Sequence, residues 1–136
     1  MPDSLRLSQA QLDTIIAHAV ACKPEEACGV LAGDSKGMVR RVFPMENSEH
    51  SEVFYLMDSE EQFRVFDEIE RAGLELVGIF HSHPHSPAFP SADDRELAFY
   101  PEAAYLIVSL MDADPVCHAF SIVDGNMREI DIMVES

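Results

Sequence analysis

The sequence predicts a mixed α/β domain of about six strands and three helices, spanning residues 1–136. Three observations predict it. Two segments carry apolar residues at helical spacing behind a capping-box pattern. Short apolar runs of strand length lie between and after them. Turn-forming residues separate those runs, and no linker, internal repeat or low-complexity stretch intervenes. A chain of 136 residues, 47% of them hydrophobic, fits one domain with one real core.

Leu12, Ile15, Ile16, Ala19 and Val20 define the first helix, from about Ser8 to Cys22. Ser8 with Gln11 opens it, and Lys23-Pro24 ends it, because the residue before a proline is turned away from helical backbone. Ala27 to Gly33 is rich in small apolar residues and reads as a buried strand. Asp34 to Gly37 then makes a turn into a second strand, Met38 to Phe43. Val53 to Met57 is expected to be a third strand. The second helix runs from Ser59 to Ala72, with Ser59 and Gln62 as its capping pair, Phe63, Phe66 and Ile69 as its apolar face and Gly73 as its C-cap. Leu76 to His81 reads as another buried strand. His83 to Pro90 is too rich in proline for regular structure, and Ser91 opens a short helix carrying Asp93, Asp94, Leu97 and Ala98. Ala104 to Leu110, Val116 to Val123 and Met127 to Val134 complete the strands, the last two joined by a hairpin turn at Asp124-Gly125-Asn126.

Charge narrows the function classes. Asp and Glu number 25 against 9 Lys and Arg, a formal net charge of −16. Nucleic acid is excluded as a partner, since binding it needs clustered positive charge. Solubility is the plain reading of the acidity, while a basic partner would be steered in at long range. No run approaches the ~20 apolar residues of a membrane span, and the N-terminus lacks the pattern of a signal peptide. Three cysteines, Cys22, Cys28 and Cys117, with no C-x-x-C pair, point to reduced thiols and a cytoplasmic protein.

The chemistry concentrates at His81-Ser82-His83. Side chains on a strand alternate, so His81 and His83 share a face at the point where the strand runs out into the proline-rich loop. A catalytic zinc takes three protein ligands and keeps one position open, and a carboxylate from the next helix, Asp94, is a natural third ligand. Each residue also has an ordinary reading. An H-x-H pair is common on exposed strands, Ser91 makes a good N-cap, and Asp94 is an acid favoured in a first helical turn.

The combination His81-x-His83, seven residues, Ser91-x-x-Asp94 resembles the signature of the JAMM (MPN+) metallopeptidases. The similarity extends along most of the chain. Pro24-Glu25-Glu26-Ala27-Cys28-Gly29 resembles the segment that carries the family's glutamate. Met45-x-Asn47, Phe54-Tyr55 and Asp58-Ser59-x-Glu61-Gln62 resemble the bacterial branch acting on ubiquitin-like sulfur carriers. Leu76 to Phe80 and Ala104 to Ser109 fit as well.

The resemblance implies an MPN-like, cytidine-deaminase-like α/β fold and a role for each matching residue. His81, His83 and Asp94 would bind Zn2+. Glu26 would hold the attacking water and shuttle its proton, and Ser91 would donate to the developing oxyanion. Glu25 is a rival for Glu26, and Asp93 for Asp94, each separated only by register. His85 is expected to be a solvated loop histidine and Cys28 a buried structural thiol, while His50 and His118 have no evident partners. The implied partner is a ubiquitin-like sulfur-carrier protein with a C-terminal Gly-Gly tail, lying against a sheet edge and losing cysteine or another amino acid on hydrolysis. That reaction would serve cysteine biosynthesis. A non-enzymatic MPN scaffold and a zinc hydrolase of small amides are the rival readings. The oligomeric state, the carrier and the leaving group stay open.

Overall fold

Strands that are apolar without interruption need cover on both faces, and the sheet is built to provide it. A computed structural model describes residues 2–135. In chain order the elements are β1 (Ser4–Ser8), α1 (Gln9–Cys22), β2 (Cys28–Gly33), β3 (Val39–Met45), α2 (Ser59–Arg71), β4 (Glu75–His83), α3 (Ala92–Glu96), β5 (Ala104–Ser109), β6 (Val116–Val123) and β7 (Asn126–Glu135). The seven strands form one sheet in the order β1-β7-β6-β5-β4-β2-β3. β1 pairs parallel to β7 and β4 parallel to β5, while the other neighbours are antiparallel. The sheet curls until its edges approach at a bridge between Arg6 and Met38.

Alternation sorts the central strands into two cores. Leu31, Phe80, Leu106 and Val108 point to one face and pack with Ile15 and Ala19 of α1. Val30, Ile79, Tyr105 and Ile107 point to the other and pack with Ile69 of α2. His81 and His83 come after Ile79 at intervals of two, so they lie on the α2 face. Of the glycines in the sheet, Gly29 on β2 has the least room for a side chain. A Cβ there would lie 2.2 Å from Phe80 Cζ and 2.5 Å from the Phe43 carbonyl oxygen.

Six of the expected runs form strands, and α1 begins behind the expected capping box: Gln11 N–H donates to Ser8 Oγ, and Ser8 N–H to Gln11 Oε1. The β6–β7 turn places Asp124 and Gly125 at φ of 52° and 78°, as a primed hairpin turn requires. Three expectations are corrected. The seventh strand is β1, whose Leu5/Leu7 alternation is too short to predict one. Val53 to Met57 is not a strand. Only Met57 bridges to Asn47, because side chains take part in the segment's backbone bonds: Leu56 N–H donates to Asn47 Oδ1, and the Leu56 carbonyl accepts from both the backbone N–H and the hydroxyl of Ser48. The N-cap of α2 is Asp58 rather than Ser59, its carboxylate accepting from Glu61 N–H at 3.0 Å. Among the described residues, no helix is long and apolar enough to cross a membrane.

Candidate active site

β4 carries His81 and His83 to the end of the sheet, and three contacts fix the loop beyond it. Leu110 N–H donates to the His83 carbonyl at 3.0 Å, and Ser109 Oγ donates to the Ser86 carbonyl at 2.6 Å, so the proline-rich loop is tied to the end of β5. The loop returns the Pro87 carbonyl to within 2.8 Å of His83 Nδ1. A carbonyl only accepts, so Nδ1 carries the hydrogen and the neutral ring presents its Nε2 lone pair inward. Asp94, in the first turn of α3, meets both imidazoles through one oxygen. Asp94 Oδ2 lies 3.0 Å from His83 Nε2 and 3.2 Å from His81 Nε2, and the two nitrogens are 3.2 Å apart. Glu26 stands just before β2. One carboxylate oxygen of Glu26 lies within 4.8 Å of the two imidazole donors, and Glu26 Oε1 is buried with no hydrogen-bond partner among the described residues.

The electrostatics derive from burial around these contacts. Burial pushes the Glu26 carboxyl up to about 8; His83 opposes the rise and Asp94 adds to it. Burial also tends to raise Asp94, but the two imidazoles overcome it and hold that carboxyl well below the usual range. His81, fully enclosed, is lowered by burial despite its contact with Asp94. His83 is lowered by burial but raised more by Asp94 and the Pro87 carbonyl, for a net increase. Three donor atoms crowded within 3.2 Å of one another, with a second carboxylate, Glu26, close by, suit a cation better than they suit each other.

Residues 8–123 match the family described as prokaryotic homologs of the JAB domain, which is most of the chain. The chain belongs to that family. Among curated proteins it resembles the CysO-cysteine peptidase of Mycobacterium tuberculosis (strain ATCC 25618 / H37Rv), at 42% identity over 122 residues, 87% of this chain and 82% of the relative. The desampylase of Haloferax volcanii is 39% identical over 137 residues, with 96% of each chain covered. A solution structure from Desulfitobacterium hafniense aligns with a TM-score of 0.88 at 38% identity, over 97% of this chain and 93% of that one. A JAB1/MPN domain protein from Archaeoglobus fulgidus shares the fold, with a TM-score of 0.62 at 19% identity over 95% and 99% of the two chains. The expected MPN-like architecture is therefore the observed one.

Within this JAB fold, the five residues singled out by sequence fall together. Ser91 caps α3, its Oγ accepting from Asp94 N–H at 3.0 Å. The two rivals separate from their neighbours: Glu25 is turned outward to His50 at 3.1 Å, and Asp93 is exposed. His85 is exposed as expected and pairs with Glu52 at 2.8 Å. Cys28 is buried beside His81 and donates to the Glu46 carbonyl, and burial pushes its thiol up to about 12. His50 and His118 do have partners, in Glu25 with Glu46 and in Glu129. No sequence pattern signals the Pro87 carbonyl, since every residue type carries that backbone group. Tyr55 stands in a segment with strand propensity, which hides its stacking on His81 at 4.6 Å. Beside the site, Tyr55, Leu56, Leu97, Phe99 and Tyr100 line a largely apolar cleft of about 220 Å³ that Asp93 and Asp94 also line.

Proposed function

We propose that this chain is a zinc-dependent peptidase that hydrolyses the amide after the C-terminal tail of a ubiquitin-like sulfur-carrier protein. The observation that carries the metal reading is the convergence of His81 Nε2, His83 Nε2 and Asp94 Oδ2 at 3.0–3.2 Å. Ligands about 2.0–2.2 Å from a tetrahedral zinc stand roughly 3.3–3.5 Å apart, so the donor set needs only a slight expansion to accept the ion. The His83 Nδ1 contact to Pro87 supports it too, because a ligating imidazole is ordinarily oriented through its other nitrogen.

Zinc, when bound, supplies a Lewis acid for the scissile carbonyl and makes water acidic enough to attack near neutral pH. The protein's own residues do the rest. Glu26 takes the proton from the attacking water and delivers it to the departing amine. Its raised pKa keeps it near the range in which it both accepts and donates. Ser91 uses an oxygen lone pair on Asp94 N–H, which leaves its hydroxyl hydrogen for the oxyanion. The apolar cleft takes the extended tail and keeps water from its backbone bonds.

The names of the relatives, a CysO-cysteine peptidase and a desampylase, support the substrate class. The test is hydrolysis of a ubiquitin-like carrier ending in Gly-Gly-Cys, monitored by mass spectrometry of the carrier. Release of free cysteine with zinc bound is expected. An intact adduct, with zinc-loaded protein and with dipeptide substrates also untouched, would favour a scaffold role. Turnover of cysteine-capped dipeptides as fast as the adduct would favour a small-amide hydrolase.

A further inference from the structure

His81 and His83 are held in different ways. His83 is oriented through its second ring nitrogen, by the Pro87 carbonyl. The second nitrogen of His81, Nδ1, is buried and has no hydrogen-bond partner among the described residues. What lies against the His81 ring is Tyr55, with centroids 4.6 Å apart and planes 25° from parallel. Offset stacking of this kind fixes the plane of a ring even where no hydrogen bond does.

Tyr55 does not sit on a strand or helix. Its neighbours are held by one buried side chain. Asn47 Nδ2 donates to the Phe54 carbonyl at 2.9 Å, and Leu56 N–H donates to Asn47 Oδ1 at 3.1 Å. The residues on both sides of Tyr55 are thus fastened to one amide. The same Nδ2 also donates to the carbonyl of Glu26 at 3.0 Å. Glu26 N–H in turn donates to the Ser51 carbonyl at 2.8 Å.

We propose that Tyr55 is the positioning residue for His81, and that the Asn47 amide sets Tyr55 and Glu26 in register with each other. The inference rests on the reading of His81 as a metal ligand. Two imidazoles at one ion then have different supports: a hydrogen bond for His83 and an aromatic plane for His81. The aromatic ring is what matters, and the Tyr55 hydroxyl is dispensable for this role.

The test uses the full chain and zinc alone as the probe. Zinc affinity is measured by competition with a chromophoric chelator for the parent, Tyr55→Phe, Tyr55→Leu and Asn47→Asp. Side-chain NMR of the His81 ring is recorded on the same proteins without metal. Tyr55→Phe keeps the stack and should bind zinc like the parent, with one His81 ring orientation. Tyr55→Leu keeps apolar bulk without the ring and should bind zinc about 10–100-fold more weakly, the usual cost of losing a group that orients a ligating imidazole. Its His81 signals should broaden or multiply. Asn47→Asp keeps the Tyr55 ring but removes the donor that holds residues 26 and 54, so the ring loses its register and zinc should weaken in the same direction. Parent-like affinity and a single ring orientation in Tyr55→Leu overturn the proposal, as does a Tyr55→Phe loss equal to that of Tyr55→Leu. If the parent binds no zinc, the metal reading falls, and the ring orientations in the metal-free proteins still decide what Tyr55 does.

Discussion

Ser91 and Asp94 hold each other from both directions: Asp94 N–H donates to Ser91 Oγ at 3.0 Å, and Ser91 N–H donates to Asp94 Oδ2 at 2.9 Å. A helix as short as α3 has little stability of its own. Its cap therefore does more than satisfy backbone groups. The oxygen that closes the capping box is also the one that faces both imidazoles. The ordinary reading of these residues, as helix cap and first-turn acid, and the proposed chemical one call on the same atoms.

That sharing distinguishes Asp94 from its neighbour. Asp94→Asn keeps the shape but replaces the anion, and the protein should lose most of its zinc on purification without added metal. Asp93→Asn should leave metal content at the parent level, because Asp93 is exposed, whereas it is Asp94 that meets both histidines. Elemental analysis of the two variants decides it. The reverse pattern would place the ligand one residue earlier.

His85→Ala should leave zinc content unchanged. The imidazole is exposed and is turned to Glu52 at 2.8 Å, away from the Asp94 cluster. Three protein ligands with one open position already make a catalytic site. Loss of the metal in this variant, measured by elemental analysis, would mean a closed four-ligand site.

The histidine pair and the helix cap are legible in the sequence because they depend on local rules. Period-two alternation puts His81 and His83 on one face, and Ser91 makes a good N-cap. Asp94 is told from Asp93 only by the register of the resemblance. Glu26 is placed only by resemblance, since its distance from the histidines is set by the pairing of β2 with β4, in which Cys28 lies opposite His81. The segment from Asn47 to Met57 defeats a reading by propensity for a physical reason. Val53, Phe54 and Tyr55 favour strand, but the Phe54 carbonyl and Leu56 N–H are bound by the Asn47 side chain and the Leu56 carbonyl by Ser48, which no periodicity reports. β1 escapes notice because its alternation is only Leu5 and Leu7, too short to stand out, although both are fully buried.

Gly29→Ala tests the close packing behind the site. The added Cβ meets Phe80 Cζ at 2.2 Å, and rotating that ring leaves the Phe43 carbonyl oxygen at 2.5 Å, a backbone atom that moves only with β3. Destabilisation of about 1–3 kcal/mol is expected, as for overpacking in a filled core. Thermal or urea unfolding of the metal-free protein measures it. A variant as stable as the parent would show that β2 and β3 separate freely, contrary to this packing.

Glu26→Gln separates proton transfer from metal binding, and it has a second consequence in the metal-free chain. Glutamine keeps the size and removes the base, so zinc should be retained while hydrolysis of a Gly-Gly-Cys adduct falls at least ~10²-fold, the lower end of what a positioned general base contributes. Glu25→Gln is the control and should stay active, since that carboxylate faces His50. The direction of the pKa shift sets the effect on stability. The folded chain raises the Glu26 pKa from 4.5 to about 8, so folding favours the protonated acid. Below the unfolded pKa the carboxyl is neutral in both states and carries no penalty. As pH rises from about 4.5 toward 8 the unfolded chain ionises first, and the fold loses that much stability relative to it. Metal-free Glu26→Gln should therefore match the parent near pH 4.5 and become the more stable of the two by pH 8–9, in urea unfolding at each pH. A parent whose stability relative to the glutamine variant is flat across that range would mean that Glu26 is not held in a desolvated site. Full activity in Glu26→Gln together with a dead Glu25→Gln would move the base by one residue and leave the metal cluster as it stands.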